Sequence, residues 1–75
     1  MEKIKFGILG TAGIAKLRFI PAIKAANNAG LVAVASRNGM KAHRFAEEND
    51  IPSAFGSYEE LLRQSEITAV YIPQP

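Results

Sequence analysis

Ile4-Lys-Phe-Gly-Ile-Leu9 is a short apolar run, rich in branched side chains, that stops on Gly10 and passes into a stretch of helical periodicity. A run of this kind is the signature of a strand buried on both faces within a parallel sheet. From Gly13 to about Asn28 the pattern is that of a helix. Ile14, Leu17, Ile20 and Ile23 or Lys24 recur every three to four residues, with Lys16 and Arg18 off the stripe. Pro21 falls inside that stretch, where loss of one i to i−4 bond predicts a kink. Asn27-Asn28-Ala29-Gly30 supplies the helix stop.

The same alternation continues to the end of the sequence. Leu31-Val-Ala-Val-Ala35 is a second buried-strand signal, turned by Ser36-Arg37-Asn38-Gly39. A helix from Met40 to Asn49 carries Ala42, Phe45 and Ala46 on one face, and Ile51-Pro52 breaks it. Ser53 to Gly56 suits a very short edge strand. Ser57 then caps a helix, with Glu60 three residues on completing a capping box and Tyr58, Leu61 and Leu62 as apolar contacts. Thr68-Ala-Val-Tyr-Ile72 is the last strand, closed by Pro73. Strands alternating with helices predict an α/β fold in which right-handed crossovers build a parallel sheet. The sequence contains no internal repeat, low-complexity segment or linker.

Composition narrows the function. The chain has 75 residues, room for one small domain or a piece of a larger one. At 48% hydrophobic it has the apolar material for a core, and with no cysteine it has neither disulfides nor a thiolate metal site. The net charge of +2 comes from scattered basic residues, which does not point to a nucleic-acid partner. No stretch of ~20 apolar residues could span a membrane, and the N-terminus does not read as a signal peptide. The expectation is a cytoplasmic protein without a membrane partner.

Gly10-Thr11-Ala12-Gly13-Ile14-Ala15 lies between the first strand and the first helix. The dinucleotide fingerprint G-x-G-x-x-G/A falls on positions 10, 12 and 15. Gly10 permits the tight turn and Ala15 permits close helix–strand packing, whereas Ala12 departs at the position where backbone approaches a pyrophosphate. Gly13 next door restores some freedom, and amides around Gly13 and Ile14 would donate to phosphates at the helix start. The plainer alternative is a tight turn that binds nothing. The strand–turn–helix context favours binding.

In NAD sites an acid about 20 residues past the glycines holds the ribose 2′-hydroxyl. Here the second strand delivers Ser36-Arg37 instead, with Lys41 at the start of the next helix. A hydroxyl and two cations attract a 2′-phosphate that a carboxylate would repel. NADP(H) is therefore expected in preference to NAD(H), the alternative being a solvated basic turn. A methyltransferase-type nucleotide site also expects an acid here, and Ser36-Arg37 argues against it.

Phe6-Gly-Ile-Leu-Gly-Thr-Ala-Gly-Ile-Ala15, Ile20-Pro-Ala-Ile23, Leu31 to Arg37, Phe45-Ala-Glu-Glu48, Tyr58-Glu-Glu-Leu-Leu62 and Ala69-Val-Tyr-Ile-Pro73 follow in a recognisable order and spacing. Together they resemble the N-terminus of the Gfo/Idh/MocA oxidoreductases, the glucose–fructose oxidoreductase and inositol dehydrogenase family. The likeness is greatest to dihydrodiol and xylose dehydrogenase types. The resemblance implies a three-layer Rossmann-type sheet of strand order 3-2-1-4, with Ser53 to Gly56 at the edge and Ala69 to Ile72 beside the first strand. It implies that Gly10, Thr11, Ala12, Gly13 and Ile14 hold a pyrophosphate and that Ser36 and Lys41 hold the 2′-phosphate. The segment from Tyr71 to Pro75, which includes Pro73, would lead to the nicotinamide ribose. The implied activity is hydride transfer between NADP(H) and a sugar- or polyol-like alcohol.

Family members are several times longer, and their Glu-Lys-Pro lysine and downstream histidine have no counterpart here. Residues 1–75 are thus expected to be the N-terminal part of a dinucleotide-binding domain, cut before the second half of the fold, with the substrate domain and all catalytic residues absent. Such a fragment would be inactive alone. The alternative is a truncated non-catalytic module: a weak nucleotide binder, or an association unit pairing with a second copy through an open edge at strand 69–72. His43, the one histidine, reads as a surface residue beside Lys41 and Arg44. Glu47, Glu48, Asp50, Glu59 and Glu60 read as helix-end electrostatics and capping rather than metal ligands. Tyr71 reads as strand packing, and Ser65 has no His or Asp placed with it for hydrolase chemistry.

Overall fold

The computed structural model describes residues 3–10 and 18–72. Its strands are β1 (Ile4–Leu9), β2 (Ala29–Ala35), β3 (Ser53–Phe55) and β4 (Ala69–Tyr71), and its helices are α1 (Ile20–Ala25), α2 (Gly39–Glu48) and α3 (Tyr58–Leu62). All strand pairs are parallel and the order is β3-β2-β1-β4. The expected α/β architecture and strand order are both present.

Strand alternation sorts the core into two layers. Ile8 and Val34 point to the face covered by α1 and α2, where they meet Ile20, Phe45, Ala46 and Ile51. Leu9, Ala33 and Ala35 point to the other face and meet Leu61 of α3. The central strands are therefore apolar on successive residues because both of their faces are covered. Gly7 has a specific reason to be glycine. A β-carbon there would stand 2.8 Å from Leu61 Cδ2, so its lack of a side chain lets α3 settle onto the sheet.

β2 starts at Ala29, two residues earlier than the sequence pattern predicts. Ala29 and Gly30 pair with Ile4 and Lys5, and the Ile4 N–H donates to the Asn28 carbonyl at 2.8 Å. They belong to the sheet, while α1 ends at Ala25 with Ala26 as an extended C-cap. The ladder also carries an irregularity: Phe6 pairs with Leu31, but Gly7 pairs with Ala33. Val32 is the extra residue, and Val32 and Ala33 both pack on the α3 side.

Pro21 follows Ile20 at the start of α1, and the backbone just before it is already helical, with Arg18 and Phe19 wound in a wider, π-type turn. α2 ends by a different device from the one expected at Ile51-Pro52. Asp50 takes a left-handed conformation (φ 56°), and the Ile51 N–H donates to the Ala46 carbonyl at 2.9 Å. This is a Schellman closure, with Ile51 returning to the core beside Phe45 and Ala46. At α3 the Ser57 hydroxyl accepts from the Glu60 N–H at 3.2 Å, the forward half of the expected capping box.

Candidate functional site: the carboxyl ends of the strands

β1 lies between β2 and β4, so the backbone leaves β1 towards one side of the sheet and later returns on the other. In open α/β sheets the crevice at the carboxyl ends of strands around such a reversal is where ligands bind. Gly10 stands at that point with φ 120°, a conformation that L side chains rarely adopt. Its N–H donates to the Ala35 carbonyl at 2.7 Å, which ties the exit of β1 to the exit of β2. The turn expected to hold a pyrophosphate thus begins beside Ser36. Thr11, Ala12, Gly13, Ile14 and Pro73 lie outside the described residues.

Ser36 is buried, with its N–H donating to the Phe55 carbonyl at 3.1 Å. Its hydroxyl oxygen accepts from the Asn38 N–H at 3.2 Å, and the hydroxyl proton remains available for donation. Arg37 and Lys41 are exposed on the same turn and on the first turn of α2. The ion pairs among the described residues, Lys24–Asp50 at 3.9 Å and Arg63–Glu59 at 3.8 Å, involve neither of them. One buried hydroxyl and two uncommitted cations therefore share this corner, with no carboxylate from Ser36 to Lys41.

Asn38 is a residue whose role the sequence reading missed. Its Oδ1 accepts from the Met40 N–H at 3.0 Å and the Lys41 N–H at 3.2 Å, so it caps α2 and occupies amides that would otherwise face an anion. Two of the backbone donors at the start of α2 are thereby committed within the chain. An Asn directly before a helical stripe is the signal that marks such a cap. The turns after β2 and β3 also touch: a β-carbon on Gly39 would lie 3.7 Å from Gly56 Cα.

His43 is exposed and lies off the buried face of Ala42, Phe45 and Ala46. Tyr71 is half-buried, its ring stacked on Phe19 with centroids 4.0 Å apart, and Phe19 meets Phe6 edge-on at 5.3 Å. Among the described residues no three His, Cys, Asp or Glu side chains gather as metal ligands. Ser65 borders a concavity with Lys3, Lys5, Glu66 and Thr68 by the start of β1, away from the strand ends that concern binding. Among the described residues no helix is long and apolar enough to cross a membrane.

Parallel strands in this order, a left-handed glycine after the first and an acid-free turn after the second define a nucleotide-binding Rossmann unit. Residues 4–75 match the family model of the Gfo/Idh/MocA oxidoreductases, described as an oxidoreductase family with an NAD-binding Rossmann fold, and the chain belongs to that family. It is 50% identical over 70 residues to D-xylose 1-dehydrogenase (NADP(+)) 2 of Haloferax volcanii, covering 93% of this chain and 21% of that protein. Trans-1,2-dihydrobenzene-1,2-diol dehydrogenase of Xenopus laevis is 40% identical over 73 residues, covering 91% of this chain and 21% of that protein. Among solved structures, the 3-ketoreductase KijD10 of Actinomadura kijaniata in complex with NADP and TDP-benzene superposes with a TM-score of 0.89 at 35% identity. That match covers 99% of this chain and 22% of the ketoreductase. The chain therefore spans about a fifth of the length of the relatives it matches.

Proposed function

We propose that residues 1–75 form the adenine-side part of an NADP(H) site in an oxidoreductase that transfers hydride between the cofactor and a sugar- or polyol-like alcohol. The observation that carries this reading is the corner after β2. There the buried Ser36 hydroxyl is flanked by exposed Arg37 and Lys41 with no carboxylate among them. Ser36 would donate to a 2′-phosphate oxygen, and Arg37 and Lys41 would neutralise its charge. Gly10, Thr11, Ala12, Gly13 and Ile14 would hold the pyrophosphate, and Pro73 would stand towards the nicotinamide ribose. The nicotinamide supplies the hydride; this protein's residues bind and orient, and none of them is assigned a catalytic role. The NADP(+) in the name of the xylose dehydrogenase and the NADP bound to the ketoreductase support the same preference.

Titration of the purified protein with NADPH, NADH and S-adenosylmethionine tests the proposal. NADPH is expected to bind most tightly. Equal affinity for the two nicotinamide nucleotides would remove the 2′-phosphate assignment, and tighter binding of S-adenosylmethionine would favour a methyltransferase-type site.

A second reading, association through β4, has its own support. Among the described residues β4 pairs only with β1, and Val70 and Ile72 are 38% and 55% exposed. An unpaired strand edge beside apolar side chains is a template for another strand. Sedimentation of the same sample decides it: a concentration-dependent dimer supports association, and a clean folded monomer excludes it.

A further inference from the structure

We propose that Asn38 is a deamidation site restrained by its own helix cap. Asn38 is followed by Gly39, whereas Asn27, Asn28 and Asn49 precede Asn, Ala and Asp. Glycine has no side chain to shield its amide or restrict its backbone, so in an Asn-Gly pair the backbone nitrogen reaches the carboxamide carbon most freely. The Gly39 nitrogen gives up its proton and forms a bond to Asn38 Cγ, the Cγ–Nδ2 bond breaks, and the departing nitrogen takes up a proton and leaves as ammonia. The product is a five-membered succinimide. Water then opens the ring at one carbonyl or the other, giving aspartate or isoaspartate, with no other reactant consumed.

The folded geometry opposes the first step. Asn38 is exposed, yet its Oδ1 is held by the Met40 and Lys41 N–H groups at 3.0 and 3.2 Å. Its backbone is extended, with φ −108° and ψ 109°. Ring closure needs the Gly39 nitrogen to swing until it eclipses Cβ, and at this ψ it lies on the far side of the residue. The cap must open and Asn38 must rotate before the bond can form. The rate therefore follows the fraction of time that the first turn of α2 is open.

The two products differ in consequence. Aspartate remains a good cap and adds a charge that suits a helix N-terminus. Isoaspartate lengthens the backbone by one methylene between Arg37 and Lys41 and dislodges the cap. Either one places a negative charge beside Ser36, Arg37 and Lys41. The effect of that charge on a 2′-phosphate rests on the cofactor reading above; the deamidation itself does not.

The test is to incubate the full-length protein in mildly alkaline buffer, natively and in denaturant, and to map mass gains of one dalton by peptide. Asn38 is expected to convert ahead of Asn27, Asn28 and Asn49 in denaturant, and several-fold more slowly in native buffer. Gly39→Ala, whose new β-carbon would make only an ordinary 3.7 Å contact with Gly56 Cα, should slow conversion several-fold in denaturant. An unmodified Asn38 under both conditions would overturn the site, and equal rates under both would overturn the restraint. Loss of NADPH binding on ageing is measured separately. Fresh protein that never binds NADPH tells against the cofactor reading and leaves the mass result intact.

Discussion

Gly7 of β1 and Leu61 of α3 fit together because one has no side chain and the other is completely buried. A methyl on Gly7 would meet Leu61 Cδ2 at 2.8 Å and Cδ1 at 3.2 Å. Gly7→Ala should therefore destabilise the fold by about 1–3 kcal/mol through overpacking. In a Leu61→Ala background, which itself should cost about 2–5 kcal/mol, the same methyl enters space already vacated. The double mutant is expected to be less destabilised than the sum of the single changes. Denaturant midpoints of the four proteins check this, and simple additivity would mean that the two residues are not coupled.

Asp50 holds a left-handed position that glycine occupies without strain. Asp50→Gly should stabilise the protein by about 0.5–1 kcal/mol, since relief of a left-handed side chain (about 1–2 kcal/mol) exceeds the added backbone entropy of glycine in the unfolded state. Both this variant and Asp50→Ala lose the exposed 3.9 Å pair with Lys24, which contributes little. Only the glycine variant is expected to raise the melting temperature. A rise in the alanine variant as well would place the effect elsewhere.

Removing the α2 cap isolates its contribution. Asn38→Ala should cost about 0.5–2 kcal/mol, and Asn38→Ser should recover most of it. Because Asn38 accepts two N–H bonds at α2 and Ser57 accepts one at α3, Asn38→Ala should lower stability more than Ser57→Ala. Thermal melts of the three variants make the comparison.

Ser36→Asp should reverse the cofactor preference. It removes a donor and places a carboxylate at the end of β2, where it would repel a 2′-phosphate and accept from a ribose 2′-hydroxyl. A charge-assisted hydrogen bond contributes about 1.5–3 kcal/mol, so NADPH affinity should fall at least about tenfold while NADH affinity holds or improves. Arg37→Ala should weaken NADPH alone. Fluorescence titration with both nucleotides reads the ratio, and parallel losses for NADPH and NADH would argue against a 2′-phosphate contact.

The architecture was legible because its signals are local. The apolar runs before Gly10 and Ser36, the Ala42–Phe45–Ala46 face and the Ser57 cap each depend on neighbours within a few residues, and each appears in the fold. Part of what escaped notice depends on partners distant in sequence. Ala29 and Gly30 look like a helix stop until β1 lies beside them. The requirement for glycine at position 7 comes from Leu61, more than fifty residues away. Asp50 in a left-handed turn cannot be read from residue type, because aspartate only tolerates that conformation. At the site, Ser36 and Gly10 could be placed by position, whereas the hydrogen bond linking their strands depends on the sheet; the Asn38 cap is local, and an Asn directly before the helical stripe marks it.

Val32, the unpaired residue of β2, acts as a phase shifter. A strand has only two facings, and one inserted residue exchanges them for everything on one side of the insertion. With Val32 in place, Leu31 below it and Val34 above it both serve the α1–α2 layer, although three positions separate them and strict alternation would put them on opposite faces. Deleting Val32 would force a choice. Either the beginning of β2 turns Leu31 away from that layer, or the end of β2 rotates and carries Ser36 to the wrong side of the sheet. The direction from which the Ser36–Arg37 corner meets a ligand is thus set several residues upstream, by a valine that need not touch the ligand.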